Sequence, residues 1–428
     1  MLPANTRWRK LASATVNFWS KARFSSFSHL TPWEIRRYWE YMESKSRLPP
    51  EPIPQAPLPE QVLRPQFYRA SSSSWVALKD DRQMCLPRGS TLKVVSWNIN
   101  ALNPGESARA FAALDHLQEL FGTVPGQLVV MLQEVCNESL QAILESPWIQ
   151  QNFILNNVNA PESIYRRTLG SSFIMIEPSW AAHRYFTIMM IPRYLESVHC
   201  FRAPFTTEMG RDVLCVDVPI STSDGSTRSN DSLRLCTTHL ESLWHGKAYR
   251  SGQLAMISRL LKRPQASKTN IIGGFVGGDM NALDRSEHEM HRTSDIGLKD
   301  VWEDAPAPLV PLLKPFQKDM SFGRARGNTW GYQSGARTRK RMDKFFYSGL
   351  VEAVALTEPQ DATGKLGRIG IGLETEIEAW QTETTEGKFV RGKFVEKLCK
   401  QYYSDRQARS LMESGSKQSF VRSKTKLW

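Results

Sequence analysis

Four short polar motifs interrupt apolar stretches of the 428-residue chain: Ser96-Trp97-Asn98-Ile99-Asn100, Leu132-Gln133-Glu134-Val135, Thr238-His239-Leu240-Glu241-Ser242 and Gly278-Asp279-Met280-Asn281. Together they hold carboxylates, amides and an imidazole, a set suited to metal-assisted hydrolysis of a phosphate ester. That reaction needs a nucleophilic water, neutralisation of charge building on the phosphoryl oxygens and help for the leaving oxygen. Glu134 offers the hard oxygen that Mg²⁺ takes while keeping waters and sharing the substrate phosphate. Asp279 suits orientation or deprotonation of the attacking water. Asn98 and Asn281 are neutral donors for phosphate oxygens, which hold an anion without pairing off the carboxylates. His239 adds another donor. Trp330 offers a face for stacking a base or sugar of single-stranded DNA, or serves as a core or lid aromatic. Singly, each motif is ordinary: an Asn ends a strand in a turn, a lone Glu is solvated, and G-D-x-N makes a tight turn.

What joins them is position. Each lies at the end of an apolar run, where loops meet a rigid sheet and binding groups concentrate. Leu92–Ile99 and Gln127–Gln133 read as buried strands, and further strand-like runs fall near 171–176, 185–191, 212–218, 232–238 and 271–277. Glu106–Phe121 reads as a helix. So does 247–261, with Leu254, Ile257, Leu260 and Leu261 on one face. Buried and alternating strands mixed with a few helices predict two packed sheets flanked by helices, an α/β sandwich.

The rest of the chain divides by composition. Residues 1–30 are basic and free of Asp and Glu, with frequent Ser and Ala, as in a mitochondrial transit peptide or a disordered basic arm. Within 31–90, residues 31–47 read as a helix opened by Thr31-Pro32. Residues 48–74, with seven prolines and a Ser run at 71–74, read as a linker. The catalytic domain is assigned to 91–380. Residues 381–428 read as a charged, partly helical insertion or tail, with Gln401–Met412 as a helix. The apolar runs are too short to span a bilayer, and the six cysteines form no C-x-x-C pair. A formal net charge of +12 suits an anionic partner such as nucleic acid. A candidate contact for DNA phosphates is the cluster Arg324, Arg326, Arg337, Arg339, Lys340 and Arg341.

The order W-N, L-Q-E-V, T-H-L-E-S, G-D-x-N and then Arg341-Met342-Asp343 at a strand resembles the endonuclease/exonuclease/phosphatase superfamily across about residues 91–380. Thr238–Ser242, the preceding Met209-Gly210-Arg211-Asp212-Val213-Leu214-Cys215-Val216, Arg250-x-x-Gln253 and Asn328-Thr329-Trp330 are similar to its phosphotyrosyl-DNA phosphodiesterase branch, rather than to abasic-site nucleases or sphingomyelinases. The resemblance implies a two-sheet α/β sandwich and Mg²⁺ as cofactor, with Mn²⁺ as a substitute. It implies a DNA partner, namely 5′ ends carrying covalent tyrosyl adducts, no membrane, and a mitochondrial or nuclear location. Catalytic roles fall on Asp279, His239, Asn281 and Asp343. Asn98, Asn281, His239 and Trp330 bind substrate, and Glu134 and Asn100 face the metal.

Three departures stand out. Asn100 occupies a place where the family carries Asp, and an amide is the weaker magnesium ligand. Leu283 stands where the phosphotyrosyl enzymes commonly carry an Arg. The family ends on a strand bearing Ser-Asp-His, whose imidazole pairs with the Asp of R-x-D, here Asp343; this sequence has no His after His291. The expectation is therefore a sandwich lacking its last strand, with Lys424-Thr425-Lys426-Leu427-Trp428 as its possible beginning. The alternatives are a catalytically inactive nucleic-acid-binding protein of the same fold, or a lipid or inositol-phosphate phosphodiesterase.

Overall fold

The computed structural model describes residues 60–78, 85–101, 105–160, 185–195, 198–207, 209–221, 231–244, 246–262, 270–304, 329–330, 340–352, 373–390, 393–403 and 418–426. One sheet has seven strands in the order β1 (Gln61–Leu63), β8 (His199–Pro204), β9 (Asp212–Pro219), β10 (Asp231–His239), β11 (Asn270–Asp279), β13 (Asp343–Gly349) and β12 (Lys299–Asp300). A second has six: β3 (Ser74–Ala77), β2 (Gln66–Arg69), β6 (Phe153–Leu155), β7 (Phe186–Pro192), β5 (Leu128–Val135) and β4 (Lys93–Asn98). Both are mixed, with parallel pairs at β10–β11 and β4–β5.

The period-2 alternation of each central strand sorts its side chains into separate cores. Val129 and Met131 of β5 join Met189, Leu214, Val216, Leu235 and Phe275 between the two sheets. Their neighbours Val130 and Leu132 point the other way, onto Leu114 and Leu117 of α1 (Glu106–Phe121), Ile143 of α2 (Asn137–Glu145) and Ile149 of α3 (Pro147–Asn152). On the far side, Val213 and Cys215 of β9 and Val276 of β11 pack under Leu254, Ile257 and Leu261 of α4 (Lys247–Lys262). The result is the predicted α/β sandwich, with a helical layer outside each sheet. A methyl group on Gly277 would stand 2.2 Å from the Phe345 ring and 3.1 Å from the sulfur of Met131. Glycine there lets β11 lie close to β13 and to the facing sheet.

Two expectations need correction. The linker assigned to 48–74 contains structure from Gln61 onward. β1 pairs with β8, and β2 pairs with both β3 and β6, so the sandwich begins near residue 61 rather than 91. The prolines masked this signal. Proline is tolerated at sheet edges, β1 and β3 are the outermost strands of their sheets, and Pro65 lies buried in the turn between β1 and β2. Tyr68 packs edge-on against Trp75 at 5.7 Å, and Arg193 lies over the Phe67 ring at 5.2 Å. Those contacts supply the apolar area that the Ser and Pro content obscured.

At the other end, Gln401–Tyr403 belong to a strand, not to the expected helix. β15 (Lys393–Tyr403), β14 (Glu374–Val390) and β16 (Gln418–Lys426) form a three-stranded antiparallel sheet. β15 pairs with eleven residues of β14, and the aromatic Tyr402 and Tyr403 at its end favour a strand. Lys424–Lys426 thus pair with β14 and do not extend the six-stranded sheet. Within that sheet β4 is the terminal strand among the described residues. The possible transit peptide of 1–30, the helix at 31–47, the strand near 171–176 and most of the expected 401–412 helix lie outside the described residues. No described helix is long and apolar enough to cross a membrane.

Candidate active site

The parallel pairs β4–β5 and β10–β11 deliver Asn98, Glu134, His239 and Asp279 from two sheets to one cleft. Asn98 is its hub. Its Nδ2 donates to Glu134 Oε1 at 2.9 Å and to Asp279 Oδ2 at 3.1 Å, and its Oδ1 accepts from the Asn100 N–H at 2.9 Å. Glu134 reaches the cleft because β5 is irregular between Leu132 and Val135, where Glu134 takes a left-handed φ of 55°. The bulge turns a side chain that strict alternation would send elsewhere. The Ala101 N–H then donates to Glu134 Oε2 at 3.1 Å. Asn100 and Asn281 are left-handed too, at 58° and 48°. Such backbone costs roughly 1–3 kcal/mol per non-glycine residue, less for Asn, and collects at functional sites.

Asp279 is 7% exposed. Its Oδ1 accepts from the Asn281 N–H at 2.9 Å, and its Oδ2 lies 3.7 Å from His239 Nε2. Asn281 donates to Leu240 O and to Ser242 Oγ, both at 3.0 Å. Asp343 lies directly opposite Asp279 on the neighbouring strand. Its backbone N–H donates to Thr329 Oγ1 at 3.0 Å, which ties the adjacent Trp330 to the site. Trp330 is partly buried and bridges by its backbone to Lys340. Asn98, Glu134, His239, Asp279, Asn281 and Asp343 thus converge. Asn100 meets the cluster through its backbone, and its carbonyl accepts from Arg109.

Three carboxyls sharing a shielded cleft disfavour one another's ionisation. Burial raises the pKa of Glu134 and Asp279. Burial first, and Asp279 second, raise Asp343 to about 8. Asp343 Oδ1 is shielded from solvent and has no hydrogen-bond partner among the described residues. A carboxylate oxygen without a partner, beside two more carboxyls, is a set of hard oxygens that fits a divalent cation.

One contributor escaped the sequence reading. Arg211, 5% exposed, donates from Nη1 to His239 Nδ1 at 3.0 Å and from Nη2 to Tyr185 Oη and Ser242 Oγ, each at 2.9 Å. Arginine only donates, so Nδ1 of His239 must accept and the ring proton sits on Nε2, facing Asp279. Burial, then Arg211, hold the His239 pKa well below its usual value. His239 is therefore a neutral N–H donor turned into the cleft. The signal was present: Arg211 stands immediately before the strand β9, at a strand end like the other motif residues, inside the motif stretch 209–216.

The basic cluster fares differently. Arg341 grips Asp300 with two hydrogen bonds at 2.9 and 2.7 Å and Glu303 at 2.7 Å, so its charge is committed inside the fold. Lys340 Nζ donates to Leu283 O at 2.9 Å. Arg324, Arg326, Arg337 and Arg339 lie outside the described residues.

No family model matches the chain. Human tyrosyl-DNA phosphodiesterase 2 is 25% identical over 330 residues, which cover 73% of this chain and 76% of that protein. Among solved structures, truncated Caenorhabditis elegans tyrosyl-DNA phosphodiesterase 2 aligns with a TM-score of 0.39 and 19% identity, covering 60% of this chain and 84% of the other. The human Nocturnin catalytic domain with bound sulfate aligns at 0.36 and 15%, covering 60% and 82%. In sequence the chain is similar to human tyrosyl-DNA phosphodiesterase 2, and the order of its motifs resembles the endonuclease/exonuclease/phosphatase superfamily.

Proposed function

We propose that the chain is a magnesium-dependent phosphodiesterase acting on 5′-phosphotyrosyl DNA ends, a DNA-repair activity. The observation that carries this reading is the convergence of Asn98, Glu134, His239, Asp279 and Asn281 on one cleft. Mg²⁺, or Mn²⁺ in its place, would be held by Glu134 and would neutralise charge on the phosphoryl group and the leaving oxygen. Asp279 orients the attacking water and accepts its proton; its raised pKa makes it a better base than an exposed carboxylate. His239, fixed as an Nε2–H donor, binds a phosphate oxygen without adding charge. Both N–H groups of Asn98 go to Glu134 and Asp279, and both of Asn281 to Leu240 O and Ser242 Oγ, so these amides position the carboxylates and the Ser242 loop rather than grip the phosphate as the sequence suggested.

Asp343 favours a second reading. With one oxygen unpaired, it brings a third carboxyl, without a partner, beside the place for an anionic substrate. On that reading the chain binds DNA ends but turns them over poorly. An activity screen separates the readings. It would offer 5′-phosphotyrosyl oligonucleotide, plain single-stranded DNA, an inositol phosphate and a phospholipid with Mg²⁺. Tyrosine release from the first and from none of the others supports the primary reading. Oligonucleotide binding without turnover supports the second, and cleavage confined to the lipid or inositol substrate contradicts both.

A further inference from the structure

Trp244 is 53% exposed, one of few large apolar side chains left open to solvent among the described residues. It sits in the loop between β10 and α4, two residues beyond Ser242, whose hydroxyl accepts from Asn281 and lies 3.5 Å from His239 Nε2.

The display is built. Leu243 takes a left-handed φ of 65°, which is strained for a bulky side chain. Its carbonyl is held by Arg250 Nη1 at 2.8 Å, and Arg250 is itself buried and paired with Glu287 at 2.5 Å. Gly246 closes the loop so tightly that a methyl group there would stand 2.2 Å from Ser242 O. The Lys247 N–H donates to Trp244 O at 3.2 Å. A buried ion pair thus holds a strained turn whose outcome is an exposed indole, and observed strain of this kind points to function.

A cation completes the arrangement. Lys340 Nζ lies 5.8 Å from the Trp244 ring centroid and donates to Leu283 O, two residues beyond Asn281. The loops that carry His239 and Asn281 are therefore joined, at their outer ends, by an aromatic ring and an ammonium. Base faces stack on indole and phosphates pair with ammonium.

We propose that Trp244 and Lys340 form a nucleotide subsite at the rim of the cleft, with the indole stacking the base nearest the reacting phosphate and Lys340 pairing with the next phosphate along the strand. This rests on the nucleic-acid reading above and adds a specificity element to it. The subsite supplies a stacking face and a cation on a rim where Leu283 brings no charge and the guanidinium of Arg341 is held by Asp300.

The test is equilibrium binding of a 5′-phosphorylated pentathymidylate, labelled at its 3′ end, followed by fluorescence anisotropy with the full chain and Mg²⁺. The Trp244→Ala variant should weaken binding about 5- to 100-fold, the range expected for one stacked base. Trp244→Phe should stay within about threefold of the parent, since a ring remains to stack. With an abasic first nucleotide, parent and Trp244→Ala should bind alike. Lys340→Ala should flatten the salt dependence by about one phosphate contact. The subsite is overturned if Trp244→Ala leaves the intact oligonucleotide unaffected, if it weakens the abasic one equally, or if the parent binds neither. Trp244-dependent binding with no turnover of any phosphodiester would keep the subsite and remove the hydrolase reading instead.

Discussion

Replacing Asp343 with Asn is expected to stabilise the metal-free fold at neutral pH and to erase part of its pH dependence. In the folded protein Asp343 titrates at about 8, against an ordinary value of 3.8, because it is buried and faces Asp279. An acid whose pKa is higher when folded takes up a proton on folding. Its cost is absent below about pH 4 and grows as pH rises towards 8. Each pH unit in that window removes at most about 1.4 kcal/mol. Between pH 4 and pH 7 the ceiling is therefore about 4 kcal/mol. Partial exposure and sharing of the proton with Asp279 bring the expected effect to about 2–3 kcal/mol at pH 7 and about 1 kcal/mol at pH 5. Asn keeps the volume and an acceptor oxygen and removes the charge. The assay is urea unfolding followed by circular dichroism, with chelator present, at pH 5 and pH 7 for parent and variant. Equal gains at both pH values, or a loss at pH 7, would refute the reasoning by showing that Asp343 is ionised and paired.

Other substitutions probe the parts around it. Arg250→Met leaves Glu287 charged and buried and frees the Leu243 turn; unfolding should cost about 3–5 kcal/mol less, and a change under 1 kcal/mol would argue against a structural pair. In ¹H–¹⁵N spectra His239 should stay neutral, with its proton on Nε2, at pH values where an exposed histidine is already protonated. Arg211→Met removes the cation that depresses it, so protonation should then begin at higher pH; an unmoved titration would leave burial as the sole cause. Saturating Mg²⁺ at about 100 times its Kd should add about 2.7 kcal/mol of stability, and Glu134→Gln should abolish the gain. The same gain in that variant would place the cation elsewhere.

Much of the sandwich and of its site was legible because strand ends carry both signals at once. Leu128–Val135 is apolar on both faces, so its burial followed from composition, and Glu134 stood out as the charge at its end. The left-handed bulge that aims Glu134 was not legible, because nothing local in Gln133-Glu134-Val135 requires φ above zero. Arg211 was missed for a related reason: its partners His239, Tyr185 and Ser242 come from other strands and loops. β1 to β3 were hidden by the prolines that precede them and by Pro65 in the turn between β1 and β2. Arg341 read as a DNA contact because Asp300, 41 residues away in sequence, gave no hint that it would meet it.

The central claim is that Glu134 and Asp279 run magnesium-dependent phosphodiester hydrolysis in this cleft. The most direct measurement is the single-turnover rate of tyrosine release from a 5′-phosphotyrosyl oligonucleotide, with the parent chain and Asp279→Asn at matched folded concentration, with Mg²⁺ and with chelator. The account predicts slow release by the parent in Mg²⁺, none with chelator, and a rate lower by at least about 100-fold in Asp279→Asn, the loss expected when a general base is removed. Equal rates in parent and variant, or release that persists in chelator, would contradict it.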